Sequence, residues 1–144
     1  MSTFFIIDTN VIVAGLLTAH QESPVARILD GMLSATFAFV VFEAFLAEYQ
    51  VVLARPKLCK LHGLSGAELH AILTDIARHA IVLAPSSGQE VTPNAPDPGD
   101  QLLWDLLATR PDLVLLTGDK LLLHDQTMQR RVILPQAFIA QLTH

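Results

Sequence analysis

The chain has 144 residues, 51% hydrophobic and only 16% charged, which excludes intrinsic disorder and predicts one densely packed domain over 1–144. A formal net charge of -5 excludes a broad basic face that grips nucleic acid by charge alone. Cys59 is the single cysteine, which excludes an internal disulfide and suits a reducing cytosol.

Residues 3–7 predict a first strand and Val11 to Leu17 a short helix. Met1 to Ala19 is apolar enough to imitate a signal peptide, but it lacks a basic leader and is interrupted by Asp8 and Asn10. Ser23-Pro24 has the form of an N-cap with proline in the first turn, opening a helix to Leu33. Phe37 to Val41 is a β-rich run, and Phe42 to Leu53 is a strongly apolar helix with Pro56 just past its end. Ser65 and Glu68 have capping-box spacing and open a helix to Arg78. Ala80 to Leu83 predicts a third strand, and Pro85 to Gly99, with four prolines, an extended loop. There follow a helix over Asp100 to Thr109, a strand over 113–116, a helix over Lys120 to Asp125, a strand over Val132 to Leu134 and a helix from Pro135 to Leu142. No uninterrupted apolar run approaches the length of a bilayer, so no membrane association is expected. Strands alternating with helices imply an α/β fold: a three-layer α/β/α sandwich around a mainly parallel central sheet.

Two apolar runs each deliver an aspartate downstream. Phe4-Phe5-Ile6-Ile7 leads into Asp8, and Leu113-Val114-Leu115-Leu116 leads through Thr117-Gly118 into Asp119. In an open α/β sheet ligands bind beyond the carboxyl ends of the strands, so both carboxylates fall on the edge where such folds do chemistry. Asp100 follows Asp97-Pro98-Gly99 where a helix begins, and Glu48 interrupts an otherwise apolar helix. Setting Asp8, Glu48, Asp100 and Asp119 aside leaves the rest of the chain nearly balanced in charge. Two carboxylates about 4 Å apart repel by roughly 4 kcal/mol at an effective dielectric near 20, so four of them converge only around a cation. Mg²⁺ and Mn²⁺ favour such oxygen donors, and they activate water for phosphodiester hydrolysis. Taken singly, each aspartate reads more readily as a helix N-cap, and Glu48 as a solvated residue at a helix edge; the four together with the strand-end placement do not.

Arg55, Lys57 and Lys60 form a basic cluster after the Glu48 helix that suits an RNA backbone, whereas Arg130-Arg131 reads as solvated surface. Trp104, alone in an apolar helix, reads as core, and Cys59 as a small core residue. Histidines 20, 62, 70, 79, 124 and 144 lack zinc-ligand spacing. There is no phosphate-binding glycine loop and no Gly-x-Ser-x-Gly elbow.

Four segments in order resemble the PIN domain, a metal-dependent nuclease fold common among the toxins of toxin–antitoxin pairs. They are Ile7-Asp8-Thr9-Asn10-Val11, then Leu46-Ala47-Glu48-Tyr49 through Val52-Leu53-Ala54-Arg55-Pro56-Lys57, then Asp97-Pro98-Gly99-Asp100 with Leu102-Leu103, then Leu116-Thr117-Gly118-Asp119. The resemblance implies Mg²⁺ or Mn²⁺ held by Asp8, Asp100 and Asp119, with Glu48 completing the acidic set and Asn10 and Thr117 supporting it. Asp97 competes with Asp100, which is preferred because Leu102 and Leu103 then fall at the family's core-facing helix positions. Gly99 and Gln101 stand where relatives often carry further acids, which thins the charge available for a second metal. The implied reaction is endonucleolytic RNA cleavage to 5′-phosphate and 3′-hydroxyl ends. The implied partners are RNA, a small antitoxin and a second copy of the chain in a homodimer. A PIN-like binding module with a weak metal site is the alternative. A haloacid-dehalogenase-type phosphatase wants an aspartate where Asn10 stands, and a phospho-receiver wants one ending the 37–41 run.

Overall fold

The computed structural model describes residues 3–83, 101–125 and 131–142. Five strands, β1 (Phe4–Ile7), β2 (Phe39–Phe42), β3 (Ile81–Leu83), β4 (Leu113–Leu116) and β5 (Val132–Ile133), form one sheet in the order β3-β2-β1-β4-β5. Every pairing among them is parallel. All four residues of β2 are buried, as are Leu113, Leu115 and Leu116 of β4. A strand buried at successive positions is covered on both faces, which is the three-layer arrangement the alternating pattern predicts.

The helices are α1 (Thr9–Leu17), α2 (Pro24–Ser34), α3 (Glu43–Leu53), α4 (Pro56–His62), α5 (Gly66–His79), α6 (Gln101–Thr109), α7 (Lys120–Leu123) and α8 (Pro135–Leu142). Ser23 caps α2 by accepting from the Ala26 amide at 3.3 Å, and Ser65 and Glu68 close a reciprocal capping box on α5. No helix among the described residues is long and apolar enough to cross a membrane.

Several elements differ from the sequence reading, among them α1, which starts two residues earlier at Thr9. The second strand lies two residues later at its start and extends through Phe42. Phe37 instead turns its ring into an aromatic cluster, with centroids 6.4, 5.8 and 4.9 Å from those of Phe5, Phe39 and Phe138. The helix α4 was not expected: Pro56 reads as a terminator of α3, whereas it occupies the first turn of a new helix, where its missing N–H costs nothing. The Leu53 carbonyl at the end of α3 accepts from Cys59 Sγ at 3.6 Å and from His62 Nε2 at 2.9 Å, which ties the new helix back to the old one. The helix expected to reach Asp125 ends at Leu123. The predicted loop over Pro85 to Gly99, and with it Asp97 and Asp100, lies outside the described residues.

The core runs through Ile6, Ile7, Phe39, Tyr49, Trp104, Leu115 and Phe138. Trp104 is wholly buried in α6, in keeping with its reading as core. Arg131, half of the pair expected to be solvated, is partly buried instead. Its guanidinium donates to the carbonyls of Leu107, Arg110 and Leu113, fastening the start of β4 to the end of α6. Gly15 lets α1 and α2 cross closely, since a Cβ there would lie 2.8 Å from the Val25 carbonyl and 3.1 Å from Leu29 Cβ.

Gly15→Ala tests that crossing. Alanine gains about 1 kcal/mol in helix propensity over glycine, whereas forcing a methyl against backbone costs roughly 1–3 kcal/mol. We expect a net fall in the urea midpoint; a rise would show that the crossing relaxes freely.

Candidate active site

The parallel register Ile7↔Leu116 brings the ends of β1 and β4 out of the sheet together. Strand order reverses here, since β2 lies on one side of β1 and β4 on the other, and such a reversal opens a crevice at the carboxyl edge. Asp8 follows β1 directly, and its amide still bonds the Leu116 carbonyl at 3.0 Å. It occupies the N-cap of α1 with φ -66° and ψ 149°, yet its side chain makes no cap; the backbone carbonyl of Asp8 accepts from Val11 instead. The cap reading therefore fails for Asp8, whose carboxylate turns toward β4.

There it meets Thr117, whose side chain is wholly buried. Thr117 Oγ1 donates to Asp8 Oδ2 at 2.8 Å and accepts from Asn10 Nδ2 at 3.1 Å and from the Asp119 amide at 3.0 Å. One proton and two lone pairs are thereby all used, which fixes the direction of the hydroxyl. Asn10 Nδ2 also reaches Asp8 Oδ2 at 3.3 Å, and its Oδ1 accepts from the Gly118 amide at 3.2 Å. Asn10 and Thr117, singled out as supporting residues, thus form one network with Asp8. Asp119 does cap a helix, its Oδ1 accepting from Leu121 at 2.9 Å, so for this residue the cap reading holds alongside the site reading. A cleft of about 350 Å³ lies beside it, lined by Asn10, Val11, Ala14, Val25, Gly118, Asp119 and Pro135.

Glu48 arrives from α3. Its Oε2 accepts from Thr9 Oγ1 at 2.9 Å, and the hydroxyl of the adjacent, buried Tyr49 donates to the Ile7 carbonyl. Sequence reasoning gave Thr9 and Tyr49 no role. Thr9 adjoins Asp8 and Tyr49 adjoins Glu48, but nothing in one dimension shows that positions 7–9 and 48–49 face each other.

Burial pushes the Asp8 carboxyl above its ordinary range. Hydrogen bonds from Thr117 and the Thr9 backbone oppose that rise, and the charges of Glu48 and Asp119 add to it. Burial likewise raises the Tyr49 phenol, with Asp8 and Glu48 adding, so the hydroxyl stays a donor. None of Asp8, Glu48 and Asp119 forms an ion pair among the described residues. Nor do any three histidine, cysteine, aspartate or glutamate side chains among those residues gather into a ready-made ligand group. The donors at the crevice are hard carboxylate oxygens, and Asp8 feels negative charge from two sides. That chemistry fits Mg²⁺ or Mn²⁺. His62 is held instead by the Leu53 carbonyl and the Leu64 amide, and Cys59 bonds the same Leu53 carbonyl.

Arg55, at the N-cap of α4, and Lys57 and Lys60 within it are all exposed. They make no ion pair among the described residues. The helix α4 packs against α1 and α3, the elements that carry Asn10 and Glu48.

A family model for the PIN domain matches residues 5–121, a stretch that holds Asp8, Glu48, Asp97, Asp100 and Asp119 and stops short of β5 and α8. No curated protein matches the chain significantly.

The raised Asp8 carboxyl has a consequence for stability. Between the ordinary aspartate value of about 4 and the raised one, the folded chain binds more protons than the unfolded chain, so stability falls as pH climbs through that window. In chelator at pH 7, Asp8→Asn is expected to have a higher urea midpoint than the parent, with the gap closing toward pH 4. An equal or lower midpoint at pH 7 would contradict it.

Proposed function

We propose, from the premise that this chain belongs to the PIN-domain family, that it is a metal-dependent endoribonuclease and the toxin of a toxin–antitoxin pair. One observation carries the reading: Asp8, fixed by Thr117 and Asn10 at the end of β1, feels the charges of both Asp119 and Glu48. These are three acidic positions of the family resemblance: Asp8 follows β1, Glu48 lies on α3 and Asp119 follows β4.

Asp8, Glu48 and Asp119, together with Asp100, are the residues that would hold Mg²⁺ or Mn²⁺, with Asp97 the competitor of Asp100. The ion, when bound, offsets the carboxylate charge, polarises the scissile phosphate and lowers the pKa of the attacking water. Water adds to phosphorus, the bond from phosphorus to the 3′ oxygen breaks, and the leaving oxygen takes a proton, giving 5′-phosphate and 3′-hydroxyl ends. Thr117 and Asn10 hold the Asp8 carboxylate through its Oδ2. Arg55, Lys57 and Lys60 orient backbone phosphates without reading sequence. A small antitoxin that fills the acidic crevice with a basic side chain, a homodimer and a cytoplasmic location complete the proposal.

A second reading, an RNA- or partner-holding module with a weak metal site, is favoured by Gly99 and Gln101, which stand where relatives often carry further acids. Single-turnover cleavage of a structured RNA in Mn²⁺ separates the two. The nuclease reading expects cleavage by the parent and none by Asp8→Asn or Asp119→Asn, both still folded by circular dichroism. RNA binding by the parent without cleavage at any metal concentration would favour the module. Metal at about 100 times its Kd should stabilise the parent by roughly 2.7 kcal/mol in thermal unfolding, and Asp8→Asn far less. Replacing Lys57 and Lys60 together by alanine should raise KM for RNAs of different sequence alike and flatten its salt dependence. A KM change confined to one sequence would argue against backbone contacts.

A further inference from the structure

Asp8 and Glu48 stand 40 residues apart on different elements, and as like charges they push each other away. Something must hold their spacing before any cation arrives. On its β2 side, β1 is paired only at Phe5 and Ile6, so Ile7 lies beyond the ladder there. The Ile7 carbonyl belongs to the peptide bond that leads into Asp8, and it accepts from the Tyr49 hydroxyl. The Tyr49 ring is 1% exposed and packed in the core. Two residues along the chain from Ile7, Thr9 Oγ1 donates to Glu48 Oε2 at 2.9 Å.

The two bonds therefore straddle Asp8, one on each side, and both run to the pair Glu48-Tyr49. One fixes the backbone on which Glu48 rides, and the other fixes its carboxylate. We infer that Tyr49 and Thr9 are positioning residues that set the separation of Asp8 and Glu48 for one shared divalent cation. The inference rests on the metal-dependent reading above and extends it to two side chains outside its ligand set.

The test uses the whole chain with Thr9→Val, Thr9→Ser and Tyr49→Phe, a Mn²⁺ titration followed by electron paramagnetic resonance, and single-turnover RNA cleavage. Outer partners of metal ligands are typically worth about 10–100-fold in affinity or activity. Thr9→Val is expected to weaken Mn²⁺ binding and lower kcat by roughly tenfold, the low end of that range, with KM for RNA unchanged and the metal-free melting temperature scarcely moved. Thr9→Ser, which keeps the hydroxyl, should restore both. Tyr49→Phe should shift Mn²⁺ affinity and kcat in the same direction, again without a change in KM. Parental Mn²⁺ affinity in Thr9→Val, failure of Thr9→Ser to rescue, or a Tyr49→Phe protein that loses only melting temperature would each overturn the assignment. A parent that binds no Mn²⁺ would bring down the nuclease reading and this inference with it. A parent that binds Mn²⁺ beside an unaffected Thr9→Val would bring down this inference alone.

Discussion

The in-register parallel pairing of β1 with β4 is the constraint on which the rest of the structure depends. Four consecutive pairs, from Phe4↔Leu113 to Ile7↔Leu116, align two strands more than a hundred residues apart. Because the alignment carries through to the last pair, Asp8 and Thr117 leave the sheet as neighbours, and the 2.8 Å bond between them follows. A slip of one residue would turn Thr117 to the opposite side and leave its buried hydroxyl with no acceptor. The pairing of two apolar strands and the polar network that decorates its end thus demand the same answer, a consistency expected of sequences that specify one fold.

The network also makes a partly buried carboxylate tolerable. Asp8 is raised by burial and by two acidic neighbours, while Thr117 and the Thr9 backbone lower it again. Neutral donors steady the group without cancelling its charge, so the crevice stays attractive to a cation. A lysine in the same place would have cancelled it.

Much of this was legible in one dimension. The apolar runs before Asp8 and Asp119, the Ser23-Pro24 start and the Ser65-to-Glu68 box are local signals, and each appears where local chemistry requires it. Pro56 was ambiguous because the same missing N–H suits a helix start and a helix stop. The place of Phe37 depended on aromatic partners from three other elements. Arg131 was read as surface because its acceptors are backbone carbonyls, which no residue pattern reveals. The pairing of Thr9 with Glu48 spans 39 positions and exists only once α3 packs beside α1.

Arginine is distributed unevenly across the sheet. At the amino edge Arg131 gathers carbonyls and Arg110 pairs with Asp112 at 3.3 Å, while Asp8, Glu48 and Asp119 at the opposite edge form no ion pair among the described residues. The molecule is mechanically tied at one rim and electrically unfinished at the other. Gly118 stands on the unfinished rim, where an added Cβ would meet nothing nearer than Asn10 Oδ1 at 3.8 Å. A side chain could be added at that point without displacing the Asn10 amide, so the rim can take a new charge while the scaffold stays as it is.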